Sequence, residues 1–164
     1  VSWTQQFPAI IPRDFIDRAS KEDLLKGTGI KIKYITNYNN PFSWAATCRY
    51  IRELKPNKII IQWSNALQGL PINYITKRLS RSTETEIVFV MHNIKQKEPT
   101  AIDRIGIRKG LKYGNTFIVD SYANAEELKQ VFPRLKFTVT ETGERASNGN
   151  RTIIKLYHPV YVMF

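Results

Sequence analysis

The chain contains very little cysteine and histidine. One cysteine, Cys48, and two histidines, His92 and His158, occur in 164 residues. A single thiol excludes an intramolecular disulfide and a cysteine-based zinc site, and it fits a protein of the reducing cytosol. Two imidazoles do not suffice for a histidine-rich metal site. We therefore expect no metal ion, and we expect Cys48, on the apolar face of a helix, to be an inert core residue.

Long hydrophobic runs and acidic residues are also scarce. No apolar run approaches the roughly 18 residues of a membrane-spanning helix, and the N-terminus lacks the pattern of a signal peptide. The chain has 14 acidic against 25 basic residues, which gives a net charge of +11. Such an excess suits polyanions, which include nucleic acid, anionic lipid headgroups and phosphorylated small molecules, although an inert basic surface has the same composition.

The common phosphate-binding and nucleophile motifs are absent as well. The sequence has no Gly-x-Gly-x-x-Gly, no Gly-Lys-Ser/Thr P-loop and no Gly-x-Ser-x-Gly elbow. A hydrophobic content of 42% with 12% aromatic residues nevertheless excludes a wholly disordered chain. The length fits one domain with a sizeable core.

Short apolar runs rich in β-branched residues are what the sequence does contain. The most informative lies at residues 86–93, where five consecutive apolar residues precede His92 and Asn93. Such a run is typical of a strand that is buried on both faces in the middle of a parallel sheet. Ligands of open α/β sheets bind beyond the carboxyl ends of these strands.

The order of the patterns predicts a Rossmann-like α/β domain, with a mostly parallel sheet and helices on both faces. We predict a half-exposed, near-edge strand at 31–36, buried strands at 59–63, 86–93 and 116–120, and helices at 41–54, 70–79, 99–113 and 123–132. Residues 136–142 and 152–157 also alternate, and we expect them to form an irregular hairpin. Because Val1, Ser2 and Trp3 resemble the end of a strand, we expect residues 1–164 to form one domain that is a piece of a longer protein.

Polar residues follow three of the predicted strands, so parallel strands would bring them to one edge. They are Trp63-Ser64-Asn65, His92-Asn93 and Asp120-Ser121. His92 is the candidate for hydrogen bonding or proton transfer, and the alternative is a histidine bonded to backbone carbonyls. Trp63 could stack on a sugar or a base, or it could belong to the core.

Two further candidates have a structural alternative. Ser121 has no evident base partner and fits a helix cap better than a nucleophile. Glu98 could reach the same edge from a loop, or it could be a favourable carboxylate in the first turn of a helix.

Four basic residues, Arg104, Arg108, Lys109 and Lys112, share one region of the helix predicted after Pro99. A solvated helix face is the simplest interpretation. A surface for anionic lipid or phosphate is the sharper one. Nucleic acid is disfavoured, because the aromatic residues follow apolar stripes and do not alternate with the basic residues.

Five motifs in order resemble the N-terminal, acceptor-side domain of retaining GT-B-type glycosyltransferases (group 1, family 4-like). They are Asn40-Pro41-Phe42-Ser43-Trp44, Ile61-Gln62-Trp63, His92-Asn93 with Glu98, Phe117-Ile118-Val119-Asp120-Ser121 and His158-Pro159-Val160-Tyr161. The chain departs from this pattern at Lys97, where relatives often have a second histidine, and at Val162, where they commonly have aspartate. The opening strand with its glycine-rich loop and the C-terminal domain of that family are missing, so the resemblance implies a domain that lacks its first βα unit.

The resemblance implies an enzyme in which two Rossmann-like domains face each other across a cleft. His92 would contact the donor sugar, and the second domain would hold most of the nucleotide-sugar, which is the co-substrate, with no metal or other cofactor. The acceptor would be a glycan or a lipid-linked molecule, and the isolated chain would be inactive. The resemblance and the charge together suggest a cytoplasmic protein with peripheral contact at the inner face of an anionic membrane. Two alternatives are a non-catalytic Rossmann-like module for a phosphorylated ligand or nucleic acid, and a degenerate structural domain.

Overall fold

A computed structural model describes residues 1–9, 27–82, 84–91, 94, 100–142 and 150–156. These residues form seven strands, four α-helices and one 3-10 turn at Ala66–Gln68. The strands are β1 (Ser2–Gln5), β2 (Tyr34–Asn37), β3 (Lys58–Trp63), β4 (Glu86–Met91), β5 (Thr116–Val119), β6 (Phe137–Thr140) and β7 (Arg151–Lys155). The helices are α1 (Pro41–Leu54), α2 (Gly69–Ser82), α3 (Ala101–Gly110) and α4 (Tyr122–Val131).

The main sheet has five strands in the order β3-β4-β5-β7-β6, and every neighbouring pair is parallel. Helices connect β3 to β4, β4 to β5 and β5 to β6, as expected for parallel strands that need long crossovers. The predicted Rossmann-like α/β fold is confirmed. A separate pair, β1 and β2, is also parallel.

Strand β4 lies inside the sheet because its apolar run can be covered on both faces. Ile87 and Phe89 have no exposed surface. The Phe89 ring stacks on Phe117 with the ring centroids 5.8 Å apart, and it meets Trp63 edge to face at 6.3 Å. The Asn115 side chain accepts a hydrogen bond of 2.9 Å from the Ile87 amide, which aligns the start of β5 with β4.

The predicted hairpin between residues 136–142 and 152–157 is wrong. Strands β6 and β7 pair in parallel, and β7 lies between β5 and β6. Alternating polar and apolar residues predict a strand with two different faces, but they carry no information about the direction of its neighbour. The direction here is determined by hydrogen bonds between distant parts of the chain, such as the 3.2 Å bond from the Arg151 amide to the Lys136 carbonyl.

Two other strand predictions need correction. Strand β3 was expected to be buried, but it is the edge strand of the five-stranded sheet and its Ile60 is 65% exposed. Three consecutive isoleucines predict a strand, but burial also depends on whether a further strand covers the edge. The strand expected at 31–36 is shifted to Tyr34–Asn37, where it pairs with β1 outside the main sheet.

A second, smaller cluster of apolar residues lies between α1 and α2. Its buried members are Cys48, Ile75 and Leu79. Burial raises the pKa of the Cys48 thiol above its ordinary value. The thiol is therefore protonated at neutral pH, in agreement with its prediction as an inert core residue.

Helix α1 begins where the sequence predicts it. Pro41 is its first residue, and the Asn40 side chain accepts a 3.0 Å hydrogen bond from the Phe42 amide. Helix α3 was predicted to begin at Pro99, which lies outside the described residues. It begins at Ala101 with a capping box, in which Thr100 caps the helix and Asp103 bonds back to it.

Asp103 links the stability of α3 to pH. Its carboxylate accepts hydrogen bonds from the Thr100 hydroxyl at 2.6 Å and from the Thr100 amide at 2.9 Å, and these bonds lower its pKa. A pKa that is lower in the folded state gives stability that is present at neutral pH and lost as the pH falls through the folded-state pKa. We expect Asp103→Asn to lower the free energy of unfolding by about 1 kcal/mol at pH 7.

Urea denaturation over a series of pH values measures this effect. The difference between Asp103→Asn and the parent chain should shrink as the pH falls below about 4, where carboxylates become protonated. Glu126→Gln is the control, since Glu126 is exposed and pairs with Lys129 on the surface of α4. If the stability difference between Asp103→Asn and the parent chain is constant with pH, or grows in acid, the hydrogen bonds of the Asp103 carboxylate to Thr100 do not have the stabilising effect described here.

Candidate functional site

The carboxyl ends of β3, β4 and β5 lie side by side. Trp63 is in register with Met91, and Met91 is in register with Val119. The next residues in the sequence are Ser64, His92 and Asp120, and of these the described residues Ser64 and Asp120 follow strands that end at the same edge of the sheet. The prediction that these strands are parallel is confirmed. His92, Asn93 and Glu98 themselves lie outside the described residues.

Trp63 belongs to the core in this structure. Its side chain is 2% exposed and packs against Phe89 and Gly110, where an added Cβ would come within 2.5 Å of the indole. The buried indole Nε1 has no hydrogen-bond partner among the described residues. Trp63 is therefore a core residue and not a stacking surface, since its ring offers almost no surface to a sugar or base.

Ser64 is the exposed polar residue at the end of β3. It lines a cavity of about 490 Å³ between the exposed edge of β3 and residues of β1 and α1. The next residue, Asn65, caps the 3-10 turn by accepting a 3.0 Å hydrogen bond from the Leu67 amide. The Ser64 hydroxyl is thus accessible from this cavity.

Ser121 caps α4. Its hydroxyl accepts a 3.2 Å hydrogen bond from the Asn124 amide, and the neighbouring Asp120 carboxylate accepts one from the Asn124 side chain. Ser121 is therefore the N-cap of α4, as the sequence favoured. The geometry places the N-terminus of α4 at the same edge as Ser64, where its partial positive charge favours a negatively charged group.

Gln68 is a residue that sequence reasoning missed. It lies in the 3-10 turn after β3 and is 1% exposed, yet neither its amide nitrogen nor its amide oxygen has a partner among the described residues. Buried polar groups are nearly always hydrogen bonded. The Gln68 amide, which lies close to the end of β3, would therefore be stabilised by a hydrogen bond to a further polar group. A single glutamine between leucine and glycine is too weak a sequence signal to have revealed it.

The four residues of the predicted basic surface do not all lie at one site in the structure. Arg108, Lys109 and Lys112 line a cavity at the amino-end edge of the sheet, together with Arg134 and Arg151, which the sequence analysis did not select. Arg104 is exposed on the same helix and does not line that cavity. The basic cluster is therefore separate from the edge that carries Ser64 and Ser121.

Comparisons with known proteins find no matching family model, no matching curated protein and no matching solved structure. The resemblance to glycosyltransferases thus stays a prediction that depends on the motifs named above. None of the helices within the described ranges is both long enough and apolar enough to cross a bilayer.

Proposed function

We propose that this chain forms the acceptor-side half of a retaining GT-B-type glycosyltransferase, which transfers a sugar from a nucleotide-sugar to a glycan or a lipid-linked acceptor. The observation that carries the proposal is the register of β3, β4 and β5, whose carboxyl ends align at one edge and are followed in the sequence by Ser64, His92 and Asp120. The carboxyl edge of a parallel sheet is where open α/β domains bind their ligands.

The chemistry available at this edge suits a sugar substrate. A neutral imidazole at His92 can donate to or accept from a sugar hydroxyl, and the exposed Ser64 hydroxyl can do the same. The N-terminus of α4, capped by Ser121, favours the negative charge that develops on a leaving diphosphate. These groups bind and orient sugar hydroxyls, and they require no resident cofactor.

A second domain completes the proposed enzyme. The motif resemblance assigns most of the nucleotide-sugar contacts to that domain, across a cleft that faces the edge described above. The chain by itself is then a binding half, and turnover requires both halves. The membrane contact suggested by the net charge of +11 would bring a lipid-linked acceptor to this cleft.

The test uses the parent polypeptide with both domains and measures release of the nucleoside diphosphate. We expect His92→Ala and Ser64→Ala each to lower kcat/KM about tenfold or more, because each variant removes a hydrogen bond to a substrate hydroxyl. Ser80→Ala is the matched control, since Ser80 is exposed on α2 and its hydroxyl bonds to the Lys77 carbonyl of the same helix.

The outcomes separate the candidate functions. If His92→Ala turns over like the parent enzyme, His92 has no part in the site. If Ser64→Ala and Ser80→Ala behave alike, the edge at β3 does not contact substrate. A parent polypeptide that releases no nucleotide from any nucleotide-sugar would favour the alternative of a non-catalytic Rossmann-like binding module.

A further inference from the structure

A cavity of about 340 Å³ lies at the amino-end edge of the main sheet, away from the edge that carries Ser64. Eight residues line it, and five of them are cationic: Arg108, Lys109, Lys112, Arg134 and Arg151. No carboxylate is present among these described lining residues. Such a concentration of one charge sign in a concave site is suited to an anion.

Three separate segments form this basic cavity. Arg108, Lys109 and Lys112 come from the end of α3 and the turn after it, Arg134 comes from the loop between α4 and β6, and Arg151 is the first residue of β7. The residues are far apart in sequence, and the crossovers of the parallel sheet bring them together. The cluster is thus a product of the tertiary fold and does not come from one basic stretch.

Arg151 is held in place within the cavity wall. Its Nη2 donates a 2.7 Å hydrogen bond to the Lys112 carbonyl, and its guanidinium carbon lies 5.8 Å from the centroid of the Phe132 ring. Its Nη1 is buried and has no hydrogen-bond partner among the described residues. Burial lowers the pKa of Arg151, but a guanidinium stays charged at neutral pH. The hydrogen bond to the Lys112 carbonyl therefore orients the guanidinium, and its positive charge is fixed in the wall of the cavity.

Compensation of helix dipoles does not account for the cluster. Helices α3 and α4 both end here, and cations are favourable at helix C-termini. Two helix ends together carry about one negative charge, since each contributes roughly half an elementary charge. Five side chains carry five positive charges, and the structure shows a hydrogen bond to a carbonyl of the α3 end only for Arg151. A large positive excess remains.

We propose that the basic cavity binds a phosphate or diphosphate group. Guanidinium groups match phosphate oxygens in paired, charge-assisted hydrogen bonds, and lysine adds charge from a flexible stem. Leu135 and Phe132 also line the cavity, and their apolar side chains suit a nonpolar group next to the phosphate. The ligand is either a soluble phosphorylated molecule or the headgroup of an anionic phospholipid. This site does not depend on the proposed transfer activity.

The experiment uses the 164-residue chain and two probes that separate the sources. The first is pyrophosphate in isothermal titration calorimetry. The second is sedimentation with phosphatidylcholine vesicles, prepared with or without phosphatidic acid. The cavity variant is Arg108→Gln with Lys112→Gln, and the control is Arg49→Gln with Arg104→Gln. Both pairs remove two positive charges from exposed residues, but only the first pair lines the cavity.

We expect the cavity pair to weaken binding about tenfold or more, and the control pair to change it by less than about threefold, because direct charge-assisted contacts exceed the effect of distant surface charge. Pyrophosphate binding would identify the soluble source. Binding only to vesicles that contain phosphatidic acid would identify the lipid headgroup.

Two results would overturn the proposal. One is that the unsubstituted 164-residue chain binds neither probe. The other is that the cavity pair and the control pair weaken binding equally. Arg134→Gln provides an independent variant, since Arg134 is exposed and lies in a loop. Thermal unfolding of each variant verifies that it folds.

Discussion

Phe89→Ala is expected to lower the free energy of unfolding by about 3–5 kcal/mol, a large part of the roughly 5–15 kcal/mol that stabilises a typical domain. Phe89 has no exposed surface, and its ring lies between Trp63 and Phe117 in the central part of the sheet. An added Cβ at Gly114 would lie 2.7 Å from the Phe89 ring, so the packing here is tight. Truncation leaves a cavity that rigid neighbouring strands cannot fill.

Phe42→Ala is the matched control for this prediction. It deletes the same side chain, but Phe42 is 86% exposed on the first turn of α1. We expect a change of less than about 0.5 kcal/mol there. Urea denaturation gives the free energies, and the Phe89 variant should also melt about 6–20 °C lower. Similar losses in the two variants would mean that Phe89 does not form the centre of the core.

Gly106→Ala is expected to destabilise the protein by about 1–3 kcal/mol or more. An added Cβ at Gly106 would lie 2.4 Å from the carbonyl oxygen of Ala66, and one at Gly69 would lie 2.2 Å from the carbonyl oxygen of Gly106. These are contacts with backbone, which cannot rotate away as a side chain can. In an open helix the same substitution would stabilise by up to about 1 kcal/mol, so the sign of the change tests the close approach.

Ile105→Ala is the control for Gly106→Ala, since it changes the adjacent residue of α3 at a position that is 55% exposed. We expect a much smaller loss for the control in thermal and urea unfolding. A Gly106→Ala protein as stable as the parent would show that α3 and the turn after β3 are not in close contact. The contact also joins the two proposed sites, because α3 carries Arg108 and Lys109, and the turn follows Ser64.

Part of the candidate site could be predicted from local patterns. A continuous apolar run predicts a strand in the middle of a parallel sheet, and the residues after three such runs then meet at one edge. The orientation of each side chain could not be predicted in this way. Trp63 and Ser64 are adjacent in the sequence, but one is buried under α3 and the other is exposed. The difference comes from Gly110, whose missing side chain gives the indole its space.

The basic cavity was only half predicted, for a similar reason. Arg108 and Lys112 are four residues apart on one helix, so periodicity associates them. Arg134 and Arg151 join them from a loop and a strand that are distant in sequence. No local pattern contains that information.

Residues close together in the sequence determined the class of the fold, the β4 run and the start of α1 at Asn40 and Pro41, because apolar periodicity and helix capping are local properties of the chain. The tertiary structure alone decided that β6 and β7 run in parallel, that β3 is an edge strand, and that five cations surround one cavity. Those features depend on which distant segments form hydrogen bonds with each other and exclude water from each other. Such pairing depends on the sequence of the whole chain and not on any local pattern.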